Sequence, residues 1–233
     1  MAHDRPARLA GVLWLLSTVF GGFGLSYVRS SVIVTGNAAA TAANVLAHES
    51  MFRAAIVSTL LSNVLLLFFG LALFHLFREF HRVLATVLLT SILLTVALGV
   101  VTQFSSFGAL LVLGQADYLQ AFTPEQRNAM AMLFLRLGNT GQGLLEVFWT
   151  PYYFSFGLLI VKSRYLPRIL GVLLMVMSVG YALNLATKFL MPQFHPLLFT
   201  QLAMTLGALG GIPAVLWMLI KGPAVDRSGG RAV

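Results

Sequence analysis

Six long apolar stretches fill this chain of 233 residues, and basic residues gather at alternate ends of them. A helix needs about 20 residues to cross the hydrocarbon layer, and continuous apolar runs favour helices over barrel strands. The predicted spans are Leu9–Val28, Ala54–Phe77, Val83–Gln103, Gly141–Val161, Ile169–Leu190 and Phe199–Ile220. We therefore predict an all-α polytopic membrane protein with a six-transmembrane-helix bundle. A single domain is expected over residues 1–222, with a short disordered tail at 223–233.

Composition excludes the main soluble classes. Hydrophobic residues make up 58% of the chain and charged residues 9%, whereas a soluble domain is about 25% charged. The net charge of +8 comes from basic residues that stand singly or in pairs beside apolar runs, so membrane lipids are expected partners and nucleic acid is not. Cysteine is absent from the sequence, which excludes disulfides and thiolate metal sites. We predict no cofactor and no metal.

The basic residues also predict the orientation. With six spans both termini lie on one side of the membrane, and ten basic residues fall on that side. These are Arg5, Arg8, Arg78, Arg82, Lys162, Arg164, Arg168, Lys221, Arg227 and Arg231, against Arg29, Arg53, Arg127, Arg136 and Lys188 on the other side. The excess places both termini in the cytoplasm by the positive-inside rule.

Two short helices are predicted in the outer connections. Ala39–Glu49 follows a turn at residues 35–37, and Pro124–Leu137 follows Thr123. Thr123 is a typical N-cap, with proline at the first helical position and Gln126 at the third. Both helices are expected on the outer side, at the membrane surface or capping the bundle.

Several segments resemble an uncharacterised bacterial membrane family, the domain of unknown function 4386. They are residues 8–13 (RLAGVL), 117–122 (DYLQAF), 124–126 (PEQ), 166–174 (LPRILGVLL) and, most specifically, 28–53. The resemblance implies a six-helix protein of the bacterial inner membrane, and it brings no activity, ligand or catalytic residue. The family's fourth helix is glycine-rich and apolar where this chain has Gln142 and Glu146, so a site built on them would be peculiar to this protein or a subset.

Glu146 is the residue that the bilayer should reject most strongly. It lies five residues into the fourth predicted span, and a centrally placed charge costs about 2.5–3.5 kcal/mol on insertion scales. Two interpretations stay open. Glu146 is either a hydrogen-bonded or protonated group that pins two helices together, or part of a ligand, ion or proton site.

Other polar side chains fall at similar depths on different helices. Each alone is typical of an interhelical hydrogen bond, worth about 0.6 kcal/mol on average. Together they predict a vestibule open to the outside, with kinks at Pro151 and Pro213 allowing it to open. The predicted ligand-binding residues are Glu146, Gln142, Asn63, Gln103, Asn184, Lys188, Arg136 and the aromatic Trp149.

These features favour binding or transport of a lipid-like or amphipathic small molecule. The alternative is a non-catalytic membrane interaction or stress-response partner, acting through small-residue faces at residues 21–24 and 207–211. An intramembrane enzyme is less favoured because the sequence lacks His-Glu-x-x-His, Gly-x-Ser-x-Gly and paired membrane aspartates. No catalytic residue is predicted.

Overall fold

The computed structural model describes residues 4–191 and 197–220, and this part of the chain is all-α, without a strand. Its helices are α1 (Asp4–Gly21), α2 (Val28–Val32), α3 (Ala38–Ala47), α4 (Glu49–Leu113), α5 (Pro124–Leu144), α6 (Glu146–Ser163), α7 (Arg168–Leu190) and α8 (Leu197–Ile220). A π-helical segment, Gly22–Tyr27, joins α1 to α2, and a 3-10 turn, Asp117–Ala121, precedes α5. The all-α prediction is confirmed. The tail predicted at 223–233 lies outside the described residues.

Four continuous helical stretches are long and apolar enough to cross a membrane. They are Pro6–Val32, Glu49–Leu113, Pro124–Ser163 and Arg168–Leu190. Much of their apolar surface is exposed, with Phe104 at 69%, Ile169 at 61% and Val19 at 60%. Large apolar side chains at this exposure need a non-aqueous solvent. The chain is therefore a membrane protein.

The 65-residue helix α4 contains both the second and the third predicted spans. Its backbone leaves helical geometry at His81 (φ −157°, ψ 88°), which lies between the second and third predicted spans. Gly70 lies against Ile92, and Gly99 lies against Asn63. In each pair the two residues lie equally far from His81 along the chain. In a straight helix Gly70 and Ile92 would be about 33 Å apart. α4 is thus two antiparallel helices that fold back at His81.

The short helices predicted in the outer connections each begin at a capping residue. Gly36 adopts a φ of 79°, the left-handed conformation that favours glycine. Asn37 then caps α3, its side chain accepting from the Ala40 N–H at 2.9 Å. Thr123 and Gln126 form the predicted capping box, each side chain accepting from the other's backbone N–H at 3.3 and 2.9 Å.

The helix that begins at Pro124 differs from the prediction at its far end. It continues past Leu137 through Gly138, Gly141 and Gly143 to Leu144, and only one residue separates it from α6. The three glycines do not interrupt it, and for Gly138 and Gly141 close packing offsets their poor helix propensity. Gly138 and Gly141 lie against Ser105 and Thr102 of α4.

Two compact units make up the chain. The first unit comprises Met1–Leu15, Leu67–Leu94 and Glu146–Val233, and the second comprises Leu16–Leu66 and Thr95–Leu145. The first has an aromatic core in which Phe77 and Phe156 meet edge to face at 6.1 Å. The second buries Val28, Phe52 and Leu135 in one apolar cluster. The single domain over residues 1–222 stays a prediction.

Candidate functional site

The predicted ligand-binding residues divide evenly between the two units. Glu146, Trp149, Asn184 and Lys188 belong to the first, and Asn63, Gln103, Arg136 and Gln142 belong to the second. Each set is described below within its own unit.

In the first unit, Glu146 and Asn184 join α6 to α7. The Asn184 amide nitrogen donates to both carboxylate oxygens of Glu146, at 3.0 and 2.8 Å. The two side chains are only 8% and 6% exposed. A carboxyl group that leaves water needs hydrogen-bond partners, and Asn184 supplies a donor to each of its oxygens. This contact is the helix-pinning arrangement considered for Glu146, and the predicted ligand role of Glu146 stays a prediction.

Aromatic rings continue this α6–α7 seam. Trp149 meets Tyr181 edge to face, with ring centroids 5.2 Å apart, and Tyr153 stacks on Tyr181 at 5.7 Å. Trp149 and Tyr181 are each three residues from the paired polar groups, so they lie on the same helix faces. The Lys188 ammonium lies 5.9 Å from the centre of the Phe189 ring.

In the second unit, two of the predicted polar residues make packing contacts. Gln142 donates to the Thr102 hydroxyl at 2.8 Å, which ties α5 to α4. The amide of Asn63 lies where a side chain at Gly99 would stand. Both are interhelical contacts of the ordinary kind. Neither lines the cavities described next.

A cavity of about 560 Å³ lies in the second unit. Its polar lining residues are Ser26, Arg29, Ser30, Thr35, Arg136 and Asn139. Its apolar lining residues include Leu25, Ile33, Met132 and Leu135. We call this space the Arg29 cavity. It combines two cations with an aliphatic surface, and no acidic side chain of the described chain lines it.

Arg29 lines this cavity from the segment that follows the π-helical turn. Its side chain is half-buried, and a Cβ added at Gly138 would stand 2.9 Å from a terminal guanidinium nitrogen. The glycine in α5 therefore provides the space that the guanidinium fills. Arg136 lies on α5 two residues before Gly138 and lines the same cavity.

A narrow crevice of about 10 Å³ shares Arg29 and Leu25 with the cavity. Gln103 lines this crevice and is 6% exposed. A volume of this size holds about one water-sized group. We call it the Gln103 crevice. It brings a third polar side chain, and one of the predicted set, to the Arg29 side of the cavity.

Comparison with known families identifies the family to which the chain belongs. A model of the domain of unknown function DUF4386 matches residues 9–222. The chain belongs to this family. No curated protein and no solved structure matches this DUF4386 protein. The family suggested by residues 28–53 is confirmed, and the family description names no activity.

Arg29 lines both spaces of the candidate site and is not among the ligand-binding residues predicted from the sequence of this DUF4386 protein. The first span was predicted to end at Val28, which left Arg29 as an outer topogenic charge. The helical path instead continues through Arg29 to Val32. The sequence holds one signal near Arg29, the glycines on either side of Phe23. In the structure both belong to the π-helical segment, and Gly24 packs against Thr59 and Ala55. A π-helical turn often marks a functional position.

Proposed function

We propose that this protein binds a lipid-like amphipathic molecule in the Arg29 cavity. The observation that carries the proposal is the mixed lining of that cavity, which combines arginine, serine and asparagine with leucine, isoleucine and methionine. Small-molecule sites typically occupy about 300–1,000 Å³ and combine apolar surface with a few convergent polar groups. An amphiphile can satisfy both kinds of lining residue, whereas an ion or a hydrocarbon satisfies only one.

The same proposal includes orientation and location. Arg29 and Arg136 both lie among the five basic residues assigned to the outer side, against ten on the other side. By the positive-inside rule the cavity then faces outward from a bacterial inner membrane, with both chain termini in the cytoplasm. A ligand would reach it from the outer leaflet or from the outer solution.

Two of the glycines considered for a protein partner make contacts inside the second unit. A Cβ at Gly21 would stand 2.9 Å from the Ser62 hydroxyl, and Gly24 packs against Thr59. Gly21 and Gly24 are therefore used for close helix approach within the unit.

A matched pair of serine variants tests the proposal. Ser30 and Ser31 are adjacent, exposed, and bonded through their hydroxyls to the carbonyls of Tyr27 and Val28, but only Ser30 lines the cavity. Ser30→Trp should fill the cavity and weaken binding by about tenfold or more. Ser31→Trp should leave binding unchanged. The measurement is retention of radiolabelled single-chain lipids, a monoacylglycerol and a lysophosphatidylglycerol, by protein in phosphatidylcholine nanodiscs, corrected with empty nanodiscs.

Equal binding by the Ser30→Trp and Ser31→Trp proteins would refute the cavity as the site. The variant Glu146→Gln then identifies the other predicted location. If Glu146→Gln weakens lipid retention while Ser30→Trp does not, the ligand belongs to the first unit, with Glu146 and Asn184.

A further inference from the structure

We infer that the amphiphile taken by the Arg29 cavity carries an anionic headgroup, a carboxylate or a phosphate, whose oxygens meet Arg29, Arg136 and the Gln103 crevice. This inference rests on the proposed function and specifies the chemical class of the ligand. The cavity itself requires only an amphiphile. The sign of the headgroup follows from three side chains around it.

Arg29 is a cation without a partner in the described chain. It is half-buried, and its guanidinium makes no hydrogen bond or ion pair with any other described residue. Elsewhere in this unit Arg53 forms an ion pair with Glu49, at 2.7 Å on the exposed surface. Partly buried charges are normally paired. A guanidinium with five donors is therefore left to be satisfied by a ligand or by water.

Gln103 is a second polar side chain available to a ligand. It is 6% exposed, and its amide bonds to none of the described residues. The amide atoms are not fully buried, so they face space that a ligand oxygen or a water can fill. The crevice that Gln103 lines with Arg29 has room for about one oxygen-sized group. One oxygen of an anion held by Arg29 would fit there and accept from the Gln103 amide.

The geometry favours a planar or tetrahedral oxyanion over other polar headgroups. Guanidinium groups bind carboxylate and phosphate through two parallel hydrogen bonds, which neutral hydroxyls do not offer. Arg136 adds a second positive charge on the same cavity, and no acid of the described residues offsets it there. The apolar lining residues Leu25, Ile33, Met132 and Leu135 would contact the acyl chain of the same ligand.

The test compares two lipids that share one acyl chain, in the same nanodisc assay. Lysophosphatidylglycerol is the anionic probe and monoacylglycerol the neutral one. The unmodified protein should bind the anionic lipid about tenfold more tightly, which corresponds to one charge-assisted hydrogen bond. Arg29→Gln should remove that preference and leave binding of the neutral lipid unchanged. Arg53→Gln, which makes the same charge change on the exposed surface, should keep the preference.

Gly138→Ala provides a version of the test that keeps both arginines. The new methyl group would stand 2.9 Å from the Arg29 guanidinium and 3.1 Å from Ser105 Cβ. The guanidinium is the end of a flexible side chain and moves at little cost, so the protein should fold with Arg29 displaced. We expect the preference for the anionic lipid to fall, as in Arg29→Gln. Gly22→Ala is the control, because nothing lies within 4 Å of its added Cβ.

The outcomes separate this inference from the proposed function. Equal binding of the two lipids by the unmodified protein overturns the anionic headgroup and leaves the cavity intact as an amphiphile site. Binding of neither lipid overturns both. Inorganic phosphate, added alone, should compete weakly because it lacks the acyl chain. If it displaces the anionic lipid at comparable concentration, the site holds a free anion and the headgroup inference is wrong.

Discussion

Asn184→Leu is expected to lower the free energy of unfolding by about 2–3 kcal/mol. Interhelical hydrogen bonds in membranes contribute only about 0.6 kcal/mol on average. The larger loss expected here follows from the geometry of the Asn184–Glu146 pair. The Asn184 amide serves both oxygens of Glu146, and both side chains are nearly fully buried. Removing the amide takes two donors from one buried acidic group, which costs more than losing a neutral bond. Equilibrium unfolding in mixed micelles measures the difference.

The double variant Glu146→Leu/Asn184→Leu is the control for this prediction. When both partners of a buried bond become apolar groups of similar size, stability is nearly retained. The double variant should therefore be more stable than Asn184→Leu alone, with a coupling energy of about 1 kcal/mol or more in the double-mutant cycle. Strictly additive losses would contradict the idea that the two side chains stabilise the α6–α7 seam as a pair.

The membrane fold could be predicted from the sequence because its signals are local. Apolar runs exceed the bilayer thickness, and residues 36–37 and Thr123 carry the chemistry of their own turns and caps. The end of α5 could not be predicted in this way. Its three glycines are poor helix formers locally, and the packing of Gly138 and Gly141 against Ser105 and Thr102 of α4 becomes visible only in the tertiary structure.

The candidate site depended on tertiary placement that no local signal contains. Depth along a span placed Asn184 among the polar neighbours predicted for Glu146, but it did not identify Asn184 as the residue that bonds to the carboxyl group, since depth says nothing about which helix faces which. Arg29 was missed for a related reason. A basic residue one position beyond an apolar run is typical of a topogenic charge, and its role depends on the space left by Gly138 on another helix.

Gly157→Ala is expected to lower the free energy of unfolding by about 2–3 kcal/mol, at the upper end of what overpacking costs. A Cβ at Gly157 would collide with the backbone carbonyl oxygen of Gly171, and a Cβ at Gly171 would stand 2.5 Å from the carbonyl oxygen of Gly157. The contact is reciprocal and made of backbone atoms, so no side-chain rotation can relieve it. α6 and α7 must move apart, and they lose the packing that small residues permit in membranes.

The direction of this effect opposes helix propensity, which makes the experiment decisive. Alanine is the better helix former by about 0.8–1.0 kcal/mol, so a glycine kept only by chance would give a more stable protein on substitution. Gly22→Ala, with open space around its added Cβ, should show that gain or no change in mixed-micelle unfolding. Gly157→Ala and Gly171→Ala should both show a loss. If either variant is as stable as the unmodified protein, α6 and α7 do not pack as closely as the contacts of Glu146, Asn184 and the aromatic rings require.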